Sequence, residues 1–379
     1  MRQYKKWYLY LIICSLISII CIIIFCFMID PYKIYNTPTI KHYNLKKIES
    51  KEYLMKARQV ATNKPEVIFL GSSRTRLGLD PDYYYQATGE IAYNIGLSGA
   101  NIYEQMRYFD YALKSNPNLK RVIIGLDYEG FNTYRNNTIA FVDSRLDTHL
   151  LIKEDLLSTL LSEQSLKDSI KVFIDNIKDE QKYTRSVFLP NGSHNESEIV
   201  IRNEVLLKNG RNPFYEHLNE HLNNEEILKN YKLSDQKLQN FIRLVNLCEV
   251  NNIKLDVFLP PVHAIQLEGI RKAGLWNDFE RWKKEIVAIT PVWDFFGYNS
   301  ITTKPPINFE FYTDQSHYRK NVGNLIFNSI LDIHLDAVPG DFGIILTKEN
   351  IDLHLKAIRE DRRDWAESNP GIVRKINEL

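Results

Sequence analysis

Cysteine is scarce in this chain: there are four in 379 residues, and Cys14, Cys21 and Cys26 all fall in one apolar run near the N-terminus. Only Cys248 remains elsewhere, so the rest of the chain can form no internal disulfide, and no His or Cys spacing matches a metal site. The sequence therefore implies no metal and no other cofactor. Cys248 lies in a helical apolar pattern and reads as a small buried hydrophobe. An excess of one charge is lacking too: 48 basic residues stand against 47 acidic ones. Without a basic stripe, nothing supports a nucleic-acid partner. Internal repeats and low-complexity segments are absent, which sets aside solenoid architectures. Aromatic residues, by contrast, make up 12% of the chain, with 22 Tyr. That composition suits a carbohydrate-facing surface and equally a well-packed sheet protein.

Residues 7–29 carry no charge and are dominated by Ile, Leu, Phe and Cys. About 20 such residues cross a bilayer as one helix. Arg2, Lys5 and Lys6 precede the run, and the positive-inside rule then keeps the N-terminus cytoplasmic and exports the remainder. The run is longer than a signal-peptide core, and no small-x-small cleavage site follows. Ile13 and Phe25, which precede Cys14 and Cys26, are not the small residues a lipoprotein site needs. The expectation is a single-pass cell-membrane anchor over residues 1–30, ended by Asp30-Pro31, then a linker over 31–64 with some helix.

Val67–Leu70 is an apolar run that stops at Gly71-Ser72-Ser73-Arg74, as a buried parallel strand entering a sharp turn does. Ala92-Tyr93-Asn94-Ile95-Gly96-Leu97-Ser98-Gly99 reads as a short strand and a glycine-rich turn, and Ile102, Met106, Phe109, Ala112 and Leu113 then share a helical face. Arg121-Val122-Ile123-Ile124-Gly125-Leu126-Asp127 is a third strand, which completes a βαβ pattern and predicts parallel pairing. Between about 135 and 230 the rhythm breaks. Helical patterns at 150–161 and 166–177 and an exposed loop at 191–195 read as a helical insertion capping the sheet. The α/β pattern returns with a helix over 234–251, the strand Lys254–Leu259, the helix Trp276–Ile289, a short fifth strand at 292–295 and a helix over 319–333. The main domain thus spans 65–345, with a charged helical extension over 346–379.

At the carboxyl ends of these strands, where open α/β sheets bind ligands, the sequence places Ser72, Ser73, Asn94, Gly99, Asp127 and His263. Asp314 and His317 stand three apart in a polar loop at 312–318 and can face one way. A nucleophilic serine needs a base, a group to orient that base, and N–H donors for an oxyanion. Each residue also has a plainer role: Ser72 or Ser73 as a helix cap, Asp314 as a cap for the next helix, and Gly96 and Gly99 as turn formers. Arg74 can bind a substrate anion or pair with Asp80 or Asp82, and His263 can contact substrate or sit in solvent.

Gly71-Ser72-Ser73, Asn94-x-Gly96-x-x-Gly99, Gly125-Leu126-Asp127 and a late Asp314-x-x-His317 stand in the block order of the SGNH (GDSL-like) hydrolases, which the chain resembles over roughly 65–130 and 250–335. The resemblance implies a three-layer α/β fold with a flavodoxin-like parallel sheet. It makes Ser73 the nucleophile, His317 the base, Asp314 its orienter and Gly99 an oxyanion donor, with Asn94 and Asp127 nearby. Two positions depart from the family pattern: Ser72 replaces its Asp, and the family's Gly-x-Asn-Asp block reads Gly125-Leu126-Asp127-Tyr128, with Asp127 in place of its Asn. Gly-Ser-Ser-Arg with a membrane anchor is closer to the envelope branch, which includes the D-alanyl-lipoteichoic acid biosynthesis protein and alginate-type O-acetyltransferases. The implied function is a serine esterase or O-acyltransferase acting outside the membrane on a cell-surface glycan or related envelope polymer, with room for a membrane-bound acyl-donor partner. A non-catalytic glycan-binding or scaffold role is the alternative.

Overall fold

The computed structural model describes the chain apart from residues 1, 46, 49–50, 149–151, 179–187, 196 and 308. The start of the helical pattern expected at 150–161 therefore lies outside the described residues. Contacts divide the protein into two compact units, Met1–Thr62 with Val142–Leu189, and Asn63–Phe141 with Pro190–Leu379. The insertion expected as one cap is thus split: residues 142–189 group with the N-terminal segment, and 190–230 belong to the α/β unit.

The first unit is helical. Arg2–Ile29 is one uninterrupted helix, within which Tyr4–Ile29 has a mean hydropathy of 3.2 over its most apolar stretch. Its 26 residues rise roughly 39 Å, enough to cross the ~30 Å of a bilayer core. The helix packs on Leu157–Leu161 and Glu163–Ile177. The supposed linker contains the helix Glu52–Asn63, and Tyr32, Ile34 and Leu54 form a small buried cluster with it.

The second unit carries a six-stranded sheet in the order β2-β1-β3-β4-β5-β6. Its strands are β1 Val67–Leu70, β2 Ala92–Asn94, β3 Arg121–Gly125, β4 Lys254–Leu259, β5 Val292–Asp294 and β6 Ile344–Leu346. The first five pair in parallel, as their apolar runs predict, and β6 adds an antiparallel edge that the sequence pattern did not reveal. β1 and β3 are buried along their whole length, as strands covered on both faces must be. The chain leaves β1 for β2 on one side and leaves β3 for β4 on the other. That reversal is the topological switch point, and it opens a crevice beyond the carboxyl ends of β1 and β3.

Gly71 makes the exit from β1 sharp. It holds φ +152°, and a Cβ there would overlap Thr75 Oγ1. Gly71→Ala should cost about 3 kcal/mol in strain and overpacking, read as a lower chemical-denaturation midpoint; an unchanged midpoint would contradict this role.

Candidate active site

The turn after β1 divides its two serines between two tasks. Ser72 is the N-cap of the short helix Ser73–Gly78, and its Oγ accepts from the Arg74 N–H at 3.3 Å. That cap leaves the Ser73 hydroxyl to point elsewhere, and its Oγ lies 2.7 Å from His317 Nε2. On the other side of the ring, His317 Nδ1 lies 2.9 and 2.8 Å from the two carboxylate oxygens of Asp314. A nitrogen facing two carboxylate oxygens carries the proton, so Nε2 is the acceptor for the serine hydroxyl. Asp314 does not cap the following helix, which begins at Lys320 behind Arg319. Its Oδ1 instead accepts from the N–H groups of Ser316 and His317, which curls the loop back on itself. Burial alone would raise the Asp314 pKa; the imidazoles of His317 and His217 outweigh it and hold the carboxyl well below its ordinary range.

Two helices bring the serine and histidine together. A Cβ on Gly323, in the helix Lys320–Leu331, would overlap the carbonyl oxygen of Gly78, so these helices meet backbone to backbone. Arg74 provides the second tie. Its Nε donates to the carbonyl of Ser316 at 3.1 Å, joining the nucleophile's helix to the histidine's loop.

Arg74 pairs with neither Asp80 nor Asp82. It reaches across the switch point instead, where Nη1 donates to Asp127 Oδ1 at 2.6 Å and to Glu129 Oε2 at 2.9 Å, and Nη2 to Glu129 Oε1 at 3.1 Å. All three side chains are buried. Glu129 also accepts from Gln266 Nε2 at 2.9 Å. Burial works to raise the Glu129 pKa, but the Arg74 charge prevails and brings it to about 2. Asp127 thus holds Arg74 from the end of β3.

The other expected site residues separate. Gly99 lines the cleft beside Ser73 and His317, in a left-handed turn at φ +71°. Asn94 does not reach it: its buried Nδ2 donates to the carbonyls of Thr75 and Leu79, and its Oδ1 accepts from Gly96 N–H. With both amide hydrogens committed, Asn94 stitches the turn and has no donor for a substrate oxygen. The 191–195 loop is not exposed, because the Asn191 carbonyl accepts from the edge strand at Asn94 N–H and His194 N–H donates to the Arg76 carbonyl.

His263 also lies outside the cleft. Its ring is 1% exposed, Nδ1 accepts from Ile265 N–H at 3.2 Å as a helix cap, and Nε2 donates to the Lys304 carbonyl at 2.7 Å. Burial pushes its pKa down to about 4 from the ordinary 6.5. The unfolded chain takes up this proton below about 6.5 while the fold resists it to about 4. Stability from this group is therefore complete above pH 6.5 and lost as pH falls towards 4. His263→Asn keeps a capping oxygen and removes the titration, so its melting temperature should fall by a few degrees less than wild type between pH 7 and 5; parallel curves would rule the assignment out.

Beyond Glu129, three basic side chains at or beside the cleft escaped the sequence reading. The helix Pro213–Asn223 brings His217 Nδ1 to 3.5 Å from Asp314 Oδ2 and adds His221 to the cleft lining. Their four-residue spacing puts them on one helix face, a visible signal with no visible target. Burial lowers the His221 pKa to about 4, so it presents a neutral imidazole. Arg135 is the third. Elsewhere, Cys248 is a buried free thiol raised to about 12 by burial. Among the described residues, no cluster of His, Cys, Asp and Glu is arranged to hold a metal ion.

The class these features define is an α/β protein with a mostly parallel sheet and a Ser–His–Asp constellation at its switch point. No family model and no curated protein matches the chain.

Proposed function

We propose that the protein is a membrane-anchored, SGNH-like serine esterase or O-acyltransferase that acts outside the cytoplasm on acyl groups of a cell-surface polysaccharide or related envelope polymer. The observation that carries this reading is the 2.7 Å approach of Ser73 Oγ to His317 Nε2, with Asp314 behind the ring. Ser73 attacks an acyl carbonyl while His317 takes its proton, and Asp314 fixes the tautomer and stabilises the imidazolium. The N–H groups of Ser73 and Gly99 receive the developing oxyanion. Collapse expels the alcohol, which regains the proton from His317, and leaves an acyl-enzyme. Water then completes a hydrolase cycle, and a sugar hydroxyl completes a transferase cycle.

The cleft supports a polymeric substrate. Its volume of about 80 Å³ is far below the roughly 300–1,000 Å³ that engulfs a whole small molecule. A site this small takes the reacting acyl group and leaves the carrier outside. Arg2, Lys5 and Lys6, ahead of the uncharged run at 7–29, support an exported α/β unit.

The test uses full-length protein in detergent with an activated acetyl ester and a serine-directed fluorophosphonate. Turnover of the ester and labelling confined to the peptide containing Ser73 are the expected results. If neither reagent reacts, the catalytic reading falls and a glycan-binding role takes its place.

A further inference from the structure

A carbonyl attacked by Ser73 places a full negative charge on its oxygen, and two backbone N–H groups leave room for a third donor. Two guanidinium groups line the cleft, those of Arg74 and Arg135. Arg74 is spent: it makes four hydrogen bonds within the protein, and two adjacent carboxylates offset its charge. Arg135 is differently placed. Among the described residues its guanidinium makes one hydrogen bond, from Nη2 to the Gly99 carbonyl at 2.7 Å. That bond seats the cation on the very turn assigned to the oxyanion, and a Cβ at Gly99 would lie 3.1 Å from the same nitrogen.

The backbone under this side chain is firmly held. The Arg135 N–H donates to the Asn132 carbonyl at 3.0 Å. Its own carbonyl accepts from Lys237 Nζ at 2.6 Å, and the same ammonium reaches the Asn132 carbonyl at 2.5 Å. Lys237 is a buried lysine committed to two backbone carbonyls, and it has no other part in the proposed chemistry. Its effect is to fix the loop that presents Arg135. Glu104, the carboxylate whose charge is felt at Arg135, is occupied by the N–H and hydroxyl of Thr138 and by Asn101 N–H.

We propose that Arg135 is a catalytic residue of this site, the side-chain donor that joins the Ser73 and Gly99 N–H groups on the oxyanion. The inference rests on the serine-nucleophile reading above. As the Ser73 Oγ–C bond forms, the carbonyl π pair moves onto oxygen and the serine proton moves to His317. Arg135 then meets a full charge where the ground state had only a carbonyl dipole. An interaction that strengthens in this way accelerates the step rather than merely binding substrate.

Arg135→Gln, Arg135→Ala and Arg135→Lys, each in full-length protein, should be compared on an uncharged activated acetyl ester. The Gln and Ala variants should lose about 100-fold in kcat, with KM within about threefold. Lysine should recover part of the loss, and millimolar guanidinium ion should restore part of the Ala variant's rate. Wild-type kcat in Arg135→Gln overturns the proposal, because an arginine serving only to recognise anionic substrates would leave a neutral ester untouched. A rise in KM alone overturns it as well, as does a loss that tracks a lower melting temperature and resists guanidinium rescue. Wild-type protein inert to both ester and fluorophosphonate removes the serine reading itself; an active wild type with unimpaired variants removes only Arg135.

Discussion

Ser73→Ala will abolish fluorophosphonate labelling and lower turnover of an activated acetyl ester by about 10⁴-fold or more, while the fold stays within about 1 kcal/mol of wild type. The two halves of this expectation come from different atoms of the same turn. Chemistry rests on Ser73 Oγ, the atom 2.7 Å from the base. Stability of the Ser73–Gly78 helix rests on Ser72, whose oxygen is the cap, and alanine is well suited to the first helical position. Ser72→Ala should show the converse, losing about 1 kcal/mol of stability with the nucleophile intact. Because serine and histidine act as one unit, Ser73→Ala combined with His317→Ala should be barely slower than either alone. Kinetics on purified protein and a denaturation curve suffice. Wild-type turnover in Ser73→Ala would end the assignment of this serine.

Arg74→Met will destabilise the protein by about 4 kcal/mol, the cost of leaving buried carboxylates without their cation. Asp127 and Glu129 would both lose a partner, since the single guanidinium serves both. The acid response should also change sign. In the wild type, folding lowers the Glu129 pKa from 4.5 to about 2, so its contribution is fully present above about pH 4.5 and lost as pH falls through about 2. Without Arg74 the burial that raises this pKa loses its main opposition, and the variant should gain stability relative to wild type on going from pH 7 to pH 4. Denaturation midpoints across that range decide the matter; a gap that does not narrow would show that Arg74 is not the compensating charge. Activity should fall as well, because Arg74 Nε holds the Ser316 carbonyl in the loop that carries His317.

The strands that flank the site were legible because Val67–Leu70 and Val122–Ile124 are short apolar runs ended by glycine, and buried parallel strands leave that signature. β6 was not, because Ile344 and Ile345 are exposed and three residues at an edge carry no pattern. Asp314 and His317 could be paired from their spacing alone, whereas Ser73 and Gly99 were selected by the block order that resembles the SGNH hydrolases. The partners of Arg74 could not. Asp80 and Asp82 are close in sequence, whereas Asp127 and Glu129 lie 53 and 55 residues away and become neighbours only through β1–β3 pairing. His263 misled for the opposite reason: it sits at the end of a strand, as a site residue would, yet its ring is consumed by its own helix and the Lys304 carbonyl. The division of the insertion at residue 190 has no compositional mark, so His217 and His221 could be seen as a helical pair but not assigned to the cleft.

The meeting of Gly78 and Gly323 has a mechanical consequence. Where two helices touch through backbone alone, no rotamer can flex to absorb displacement, and repulsion rises steeply on closer approach. Closer approach of the Ser73–Gly78 and Lys320–Leu331 helices is blocked at this point. The spacing between the nucleophile's helix and the helix that follows the His317 loop is therefore set by main chain, not by side-chain rotamers.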